Sequence, residues 1–345
     1  MYLHPAFEVK IGSLPPLKNF GLEIVDIAVR MSMDSAPGHF ESDMKLGEGI
    51  ENLKKNEDVQ VSLGYEENGS PDLSIVFTGK VKSIKNTGQK TLVLSPLTTL
   101  YNLRFDQPYH DQTSGQIISD IAERAEIEVG EVADGSRLPS YVINQQKNAF
   151  EHIVELAKRP GFDFHADNEG KLVFKKYEIS DNPRVIEYGK NILSVKLVDR
   201  AQPYNSFRVA GTSPSGTKGQ DKQSWLTKRS IEGRAGSGSN ELLVQDMSAK
   251  DPDSAQEYAE SLKRRSDNSI NVELKILGDA KIMLGDTVRI ENVPETENAT
   301  EVSLNGDFLV RELEHAFSSS EGFTTTLKCR KDISRARTGI SDNQR

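Results

Sequence analysis

The chain has 345 residues and a formal net charge of −9, with 28 % charged against 36 % hydrophobic residues. That length predicts two or three domains, and the acidic balance makes the chain a poor non-specific binder of DNA or anionic membranes; no specific nucleic-acid binding is expected. The lone cysteine, Cys329, forbids an intrachain disulfide, and six scattered histidines make a zinc site a poor expectation.

The opening stretch MYLHPAFEVKIGSLPP has no basic region followed by an apolar one, so no secretory signal is expected. No apolar run approaches the ~20 residues a transmembrane helix needs, so no direct membrane insertion is expected. Synthesis and folding in the cytoplasm follow from these readings, with later export inside a particle still possible.

In chain order, the first hundred residues read as β. AFEVKIG alternates and places Phe7, Val9 and Ile11 on one face. GLEIVDIAVRMSMDSAPGHFESDMK reads as strand, Pro-Gly turn, strand. Val59, Val61 and Leu63 alternate in the next strand, ENGSPD reads as a hairpin loop in which Pro71 ends the ladder, and Ile75, Phe77 and Gly79 resume the alternation. NTGQ is a second turn and KTLVLSPL the following strand. Such short antiparallel strands predict a sandwich or barrel.

From about residue 105 the period becomes helical. TSGQIISDIAERAEI stripes Ile117, Ile118, Ile121, Ala122 and Ala125, capped by Thr113 or Ser114. NAFEHIVELAKRPGF stripes Phe150, Ile153, Val154 and Ala157 and stops at Pro160-Gly161. FDFHADNEGKLVF reads as a hairpin turning at Asn168-Glu169-Gly170. β character returns with ILSVKLVD. SPSGTKGQDKQS and EGRAGSGSNE read as loops. A helix over 253–265 follows, capped by Asp253 or Ser254, with Tyr258, Ala259 and Leu262 on one face. The last strands are INVELKIL, DTVRIENV, DFLVRELEHAF and FTTTLKCRK, and the remainder is expected to fray. The predicted division is 1–104 as a first β-barrel, 105–185 as an α+β insert, 186–330 as a second barrel carrying the helix, and 331–345 as a flexible tail.

The two β regions repeat one another. EDVQVSLGY (57–65) aligns with GDTVRIENV (285–293), IVFTGKVKSI (75–84) with DFLVRELEH (307–315), and QKTLVLS (89–95) with FTTTLKC (323–329). The element order matches, which suggests two copies of one barrel.

Residue chemistry offers little catalysis. His315, in RELEHAF, has no partner at metal-ligand spacing and reads as structural. His152 and His165 lie near Asp163 and Asp167, a pairing that can bind metal, but turns favour Asp for their own reasons. Acids are plentiful, yet none forms a marked pair for glycoside hydrolysis. GRAGSGSNE lacks the Lys-Ser/Thr ending of a phosphate loop, and no nucleophile elbow is present. No catalytic, cofactor-binding or metal-binding residue is therefore predicted. Lys263, Arg264 and Arg265 complement a helix C-terminus or meet an acidic partner. The basic stretch KCRKDISRAR (328–337) reads as a dock or as a solvated tail, and Trp225 as a core or interface anchor.

VFTGKVKSI, the helix–link–helix–hairpin segment from TSGQIISDIAERAEI to VINQQKNAFEHIVELAKRPGFDFHADNEGKLVF, and MLGDTVRI…GDFLVRELEHAFSSSEGFTTTLKC appear in that order. Together they resemble the phage late control protein D family, the baseplate hubs of contractile tails related to the N-terminal part of type VI secretion spikes. The resemblance covers about residues 5 to 330. It implies a mainly β chain with an α+β insert and two tube-type antiparallel barrels, assembling as a trimeric pseudo-sixfold ring. It implies a non-enzymatic symmetry adaptor, without cofactor, between a sixfold tail tube and a threefold spike. The expected partners are two further copies of the chain, a separate trimeric spike protein, tail tube proteins and baseplate components. The expected location is a phage tail or an extracellular contractile injection particle. The strands around Val76–Ile84 and Phe308–His315 are the expected ring edges, and the loops Glu66–Asp72 and Glu295–Asn305 the expected contacts to tube or spike. Two rival readings are a tail-associated cell-wall hydrolase and a monomeric glycan-binding β-protein.

Overall fold

A computed structural model describes residues 4–18, 24–34, 39–44, 55–67, 69–85, 90–199, 203–211, 231–267, 270–294, 303–318 and 321–331. The first β region holds β1 (His4–Ile11), β2 (Leu17–Lys18), β3 (Ile24–Ser32), β4 (His39–Met44), β5 (Asp58–Glu67), β6 (Ser70–Lys85) and β7 (Lys90–Leu94). A 3-10 turn at Pro96–Tyr101 leads into the insert: β8 (Gln107–Thr113), α1 (Ser114–Arg124), β9 (Val129–Val132), β10 (Arg137–Ile143), α2 (Ala149–Lys158), β11 (Asp163–Ala166) and β12 (Leu172–Lys175). Then come β13 (Arg184–Glu187), β14 (Ile192–Asp199), β15 (Ser206–Gly211), β16 (Glu232–Gly236), β17 (Glu241–Asp246), α3 (Pro252–Asp267), β18 (Ile270–Leu277), β19 (Thr287–Glu291), β20 (Gly306–Ser318) and β21 (Gly322–Lys331).

The architecture is mainly β, as the sequence predicts, with curled half-barrel sheets. Both β regions belong to one 13-stranded sheet, ordered β14-β18-β21-β20-β3-β4-β7-β6-β5-β1-β2, with β19 on β20 and β13 on β19. The alternations predicted for β1 and β5 hold: Phe7, Val9, Ile11, Val59, Val61 and Leu63 are all buried. Residues of both halves, from Phe7 to Cys329, fill a single core. One expectation fails locally. The β5–β6 ladder does not end at Pro71 but runs through it, pairing Glu66 with Pro71, because the missing N–H falls one step from the hairpin end at Glu67–Ser70.

The insert has its own core, from Leu97 to Phe174. Each of its helices begins with a capping box: Thr113 with Gln116 on α1, and Asn148 with Glu151 on α2. A third core joins Val209, Ile231, Ala235 and Ala249 to Ala255, Tyr258 and Ala259, so α3 lies on the small sheet β16-β15-β17. The cap of α3 is Asp251, whose carboxylate accepts from Ser254 N at 2.8 Å. Neither Asp253 nor Ser254 fills that role, because Pro252 occupies the first helical position.

Candidate assembly surface

The two halves meet along a backbone seam. β20 pairs antiparallel with β3 from Glu312↔Ser32 to Ser318↔Asp26. Arg30 and Glu314, opposite one another in that register, form a two-pronged ion pair at 3.0 and 3.2 Å. On the core side Phe317 meets Phe7 edge-on, centroids 5.2 Å apart. The strands expected as ring edges are therefore interior. β6 runs between β5 and β7 as far as Lys80, beyond which only β7 pairs with it among the described residues, and β20 has β21 on one side and β19 then β3 on the other. The sheet path ends instead at β14 and at β2.

The repeat is sharper in structure than in sequence. The order β3-β4-β7-β6-β5 in the first half matches β14-β18-β21-β20-β19 in the second, with every pairing antiparallel. Two irregularities fall at matching places, whereas the β5–β6 shift between Val61 and Ser62 has no counterpart in the β19–β20 ladder. The β6–β7 register shifts between Val81 and Ser83, and the β20–β21 register between Val310 and Glu312. The β3–β4 register shifts between Ile24 and Asp26, and β14–β18 between Ile192 and Ser194. Asn56 and Gly285 both have positive φ, 70° and 85°. Each N–H reaches the residue before the bulge, Val81 O or Val310 O, at 2.9 Å. The sequence alignment needs correction accordingly. Val59 matches Val288, Val81 matches Val310, and Val93 matches Cys329. The match of IVDIAV in β3 to ILSVKL in β14 escapes the sequence comparison, although both show apolar residues at the first, second, fourth and sixth positions. The outermost strands do differ: β1 is antiparallel to β5, whereas β13 is parallel to β19.

At the second-half bulge, Val310 and Arg311 are both buried, so the bulge turns an arginine inward. Arg311 donates to both oxygens of Asp163, at 2.6 and 2.9 Å, and forks onto Asp34. Arg330 reaches the same Asp34 at 3.1 Å. Three regions thus meet in one charge junction: Asp34 after β3, Asp163 at the start of β11, and the arginines of β20 and β21. Burial acts to lower the Arg311 pKa, but the two carboxylates outweigh it and hold the guanidinium firmly charged. Burial likewise acts against Asp34, and Arg311 outweighs it, so its carboxyl lies below the ordinary range. A second buried pair, Arg159 with Asp246 at 2.8 and 2.9 Å, ties α2 to β17. Arg265 of the predicted basic stretch donates to Phe162 O at 2.7 Å, so it serves the α3–insert contact as well as its helix end.

Three histidines are held by hydroxyl groups. Tyr141 Oη lies 2.9 Å from His152 Nδ1, and Tyr177 Oη lies 2.6 Å from His165 Nε2. His315 Nδ1 lies 2.9 Å from Thr325 Oγ1, and burial pushes its pKa down to about 4. Burial also lowers His152 and His165. The carboxylates once considered beside them are engaged elsewhere: Asp163 by Arg311, and Asp167 by the N–H groups of Glu169 and Lys171. Among the described residues no group of three or more His, Cys, Asp or Glu could hold a metal ion. A cleft of about 520 Å³ between insert and second half is lined by His165, Tyr177 and Asp286. Burial raises the pKa of Asp286 in it, yet that carboxylate accepts from Met283 N at 2.9 Å and closes the turn before β19. The loop 66–72 is a hairpin tip with Gly69 at φ 79° and Asp72 paired to Lys281 at 2.8 Å. Trp225, NTGQ, residues 295–302 and residues 332–345 lie outside the described residues.

No protein-family model matches the chain, and no curated protein matches it. Solved structures do share its fold. The 43 kDa tail protein of prophage MuSo2 from Shewanella oneidensis superposes with a TM-score of 0.67 at 16 % identity, over 94 % of this chain and 98 % of its own. A tail protein from Neisseria meningitidis MC58 gives 0.70 at 12 % identity, over 96 % and 97 %. An E. coli component of the type VI secretion system, described as structurally similar to the T4 tail proteins gp27 and gp5, gives 0.52 at 12 % identity, over 93 % and 76 %. The fold is therefore one found in phage tail proteins and in type VI secretion, along nearly the whole chain.

Proposed function

We propose that this chain is the structural hub of a contractile tail or injection system, adapting a sixfold tail tube to a threefold spike. The observation that carries the reading is the doubled strand order with its matching bulges. A subunit with two quasi-equivalent barrel units, one within 1–104 and one within 186–330, lets three copies present six units. A closed ring of heterologous contacts then forms without any special asymmetric contact. The insert, 105–185, sits between the units. The partners are two more copies of the chain, a separate trimeric spike, tail tube proteins and baseplate components. The protein is made in the cytoplasm and carried in the particle.

The role is non-enzymatic. The buried acids and histidines described above are engaged in turns, helix contacts and the charge junction. The shared fold with tail proteins supports the same reading. Light scattering on the purified protein, alone and with a candidate spike protein, tests it. A mass near three times 38.3 kDa, alone or only with the spike, is expected. A monodisperse monomer indifferent to spike and tube proteins overturns it.

A further inference from the structure

The seam inside the chain serves as a template for a contact between chains. We propose that β14 of one copy pairs antiparallel with the C-terminal end of β6 of a second copy, in the register that β3 and β20 use within one chain. This rests on the hub reading for the number of copies, but the strand assignment comes from the repeat itself.

The bulges fix the correspondence. Ile24 and Asp26 flank the shift in β3, Ile192 and Ser194 the shift in β14, so Arg30 corresponds to Val198 and Met31 to Asp199. Val81 and Ser83 flank the shift in β6, Val310 and Glu312 that in β20, so Ile84 corresponds to Leu313 and Lys85 to Glu314. In the chain, β3 gives its outer edge to β20 over Glu312–Ser318. The same edge of β14 is the end of the sheet. Among the described residues it meets only a single bridge, Tyr188 with Ile192. The matching acceptor is vacated too. The β5 ladder on β6 stops at Asp58↔Lys80, so Ser83–Lys85 pair with β7 on one side and with no strand on the other among the described residues. Among the described residues, each copy thus has one unmatched donor edge and one unmatched acceptor edge.

The surface around β14 fits this use. Leu193 on the strand is 53 % exposed and Leu277 on the neighbouring β18 is 49 % exposed. A long edge bearing exposed apolar residues is a liability that soluble proteins normally cover. A second copy is the occupant whose complementary edge is already present in the molecule. Because donor and acceptor lie on different halves, the contact is head-to-tail and propagates until it closes. In this register Lys85 of one copy stands opposite Val198 of the next, where Glu314 stands opposite Arg30 within the chain. Ile84 stands opposite Asp199.

The test is a disulfide between copies. The double variant Lys85→Cys with Val198→Cys, and as a second pair Ile84→Cys with Asp199→Cys, are oxidised, run on non-reducing gels and weighed by light scattering. Buried Cys329 should add no background. Most of the 38.3 kDa band should shift to a ladder ending at a closed covalent species. The single variants and the displaced pair Lys85→Cys with Ser194→Cys should not shift. A trimeric mass with no crosslink in either pair overturns the strand assignment and leaves the hub. A monomeric mass with no crosslink overturns both. A crosslink in a closed species of another mass supports the pairing and overturns the hub stoichiometry. A crosslink from Val198→Cys alone means two β14 edges meet face to face, which overturns the head-to-tail arrangement.

Discussion

Arg311 shows how one side chain can hold three regions in place. Its guanidinium is 7 % exposed and shares its donors between Asp34 and Asp163. Replacing it by methionine leaves Asp163, itself 13 % exposed, with the more distant Arg265, at 4.0 Å, as its counter-charge. Breaking a buried pair on one side costs about 3–5 kcal/mol, and the low end fits here because Asp34 is partly solvated. Urea unfolding of Arg311→Met should show that loss, whereas a change within experimental scatter would mean that water replaces the arginine. His315 gives the pH prediction. Its folded pKa of about 4 lies below the ordinary ~6.5 of the unfolded chain. As pH falls the unfolded state takes the proton first. The stability it contributes is complete above about pH 6.5 and is lost toward pH 4, in total about 3 kcal/mol. His152 and His165 act in the same direction. Asp34 also loses its contribution on acidification, but only below the ordinary carboxylate pKa. Unfolding free energies measured between pH 7.5 and 4.5 should fall on acidification, and His315→Gln should flatten the slope. An unchanged slope in the variant would assign the effect elsewhere.

At the scale of elements, what was readable from the sequence was what is local. The stripe of α1, its cap at Thr113 and the alternation in β1 and β5 depend on neighbours a few residues away, and the structure keeps them, whereas α2 buries His152 and Leu156 and leaves Phe150 and Val154 of its expected stripe half-buried. The repeat was readable as a pattern but not in register, because alternation alone does not fix which residue matches which, and the strand pairings that do fix it lie far apart in sequence. Arg311 is the instance. It interrupts an apolar alternation in VRELEH, and only the pairing shows that the extra residue turns it inward. The seam was not readable at all, since no local pattern connects Asp26 to Ser318. Phe317 is its core anchor. Truncating a buried phenylalanine costs about 3–5 kcal/mol, so Phe317→Ala should lower stability by that order in urea titration. It should also loosen Phe7, its edge-on partner, visible as faster amide exchange in β1. Loss of stability without added exchange in β1 would mean that the halves are held together elsewhere. On α2, Asn148→Ala removes one half of a capping box and should cost about 1 kcal/mol.

For the whole molecule, the repeated unit has been elaborated unequally. The turn between β3 and β4 spans only a few residues, whereas the corresponding connection from β14 to β18 carries β15–β17 and α3. Asp199 and Ile270 are nonetheless paired neighbours, so that excursion leaves and returns at one point on the sheet. Loop insertions of this kind cost little because closure entropy grows slowly with length. In the proposed ring, alternate units would then carry different decorations, which would give a sixfold base a threefold face.

The seam also sets an order in time. β3 leaves the ribosome early, and its partner β20 is made only after more than half of the chain has followed. At ~5–20 residues per second that interval is on the order of tens of seconds. Throughout it, β3 can pair with β4 but keeps its other edge open, an edge of the kind that aggregates. A protein truncated before β20 would leave that edge open permanently, so shortened translation products should be cleared or insoluble rather than accumulate as half-sized folded barrels.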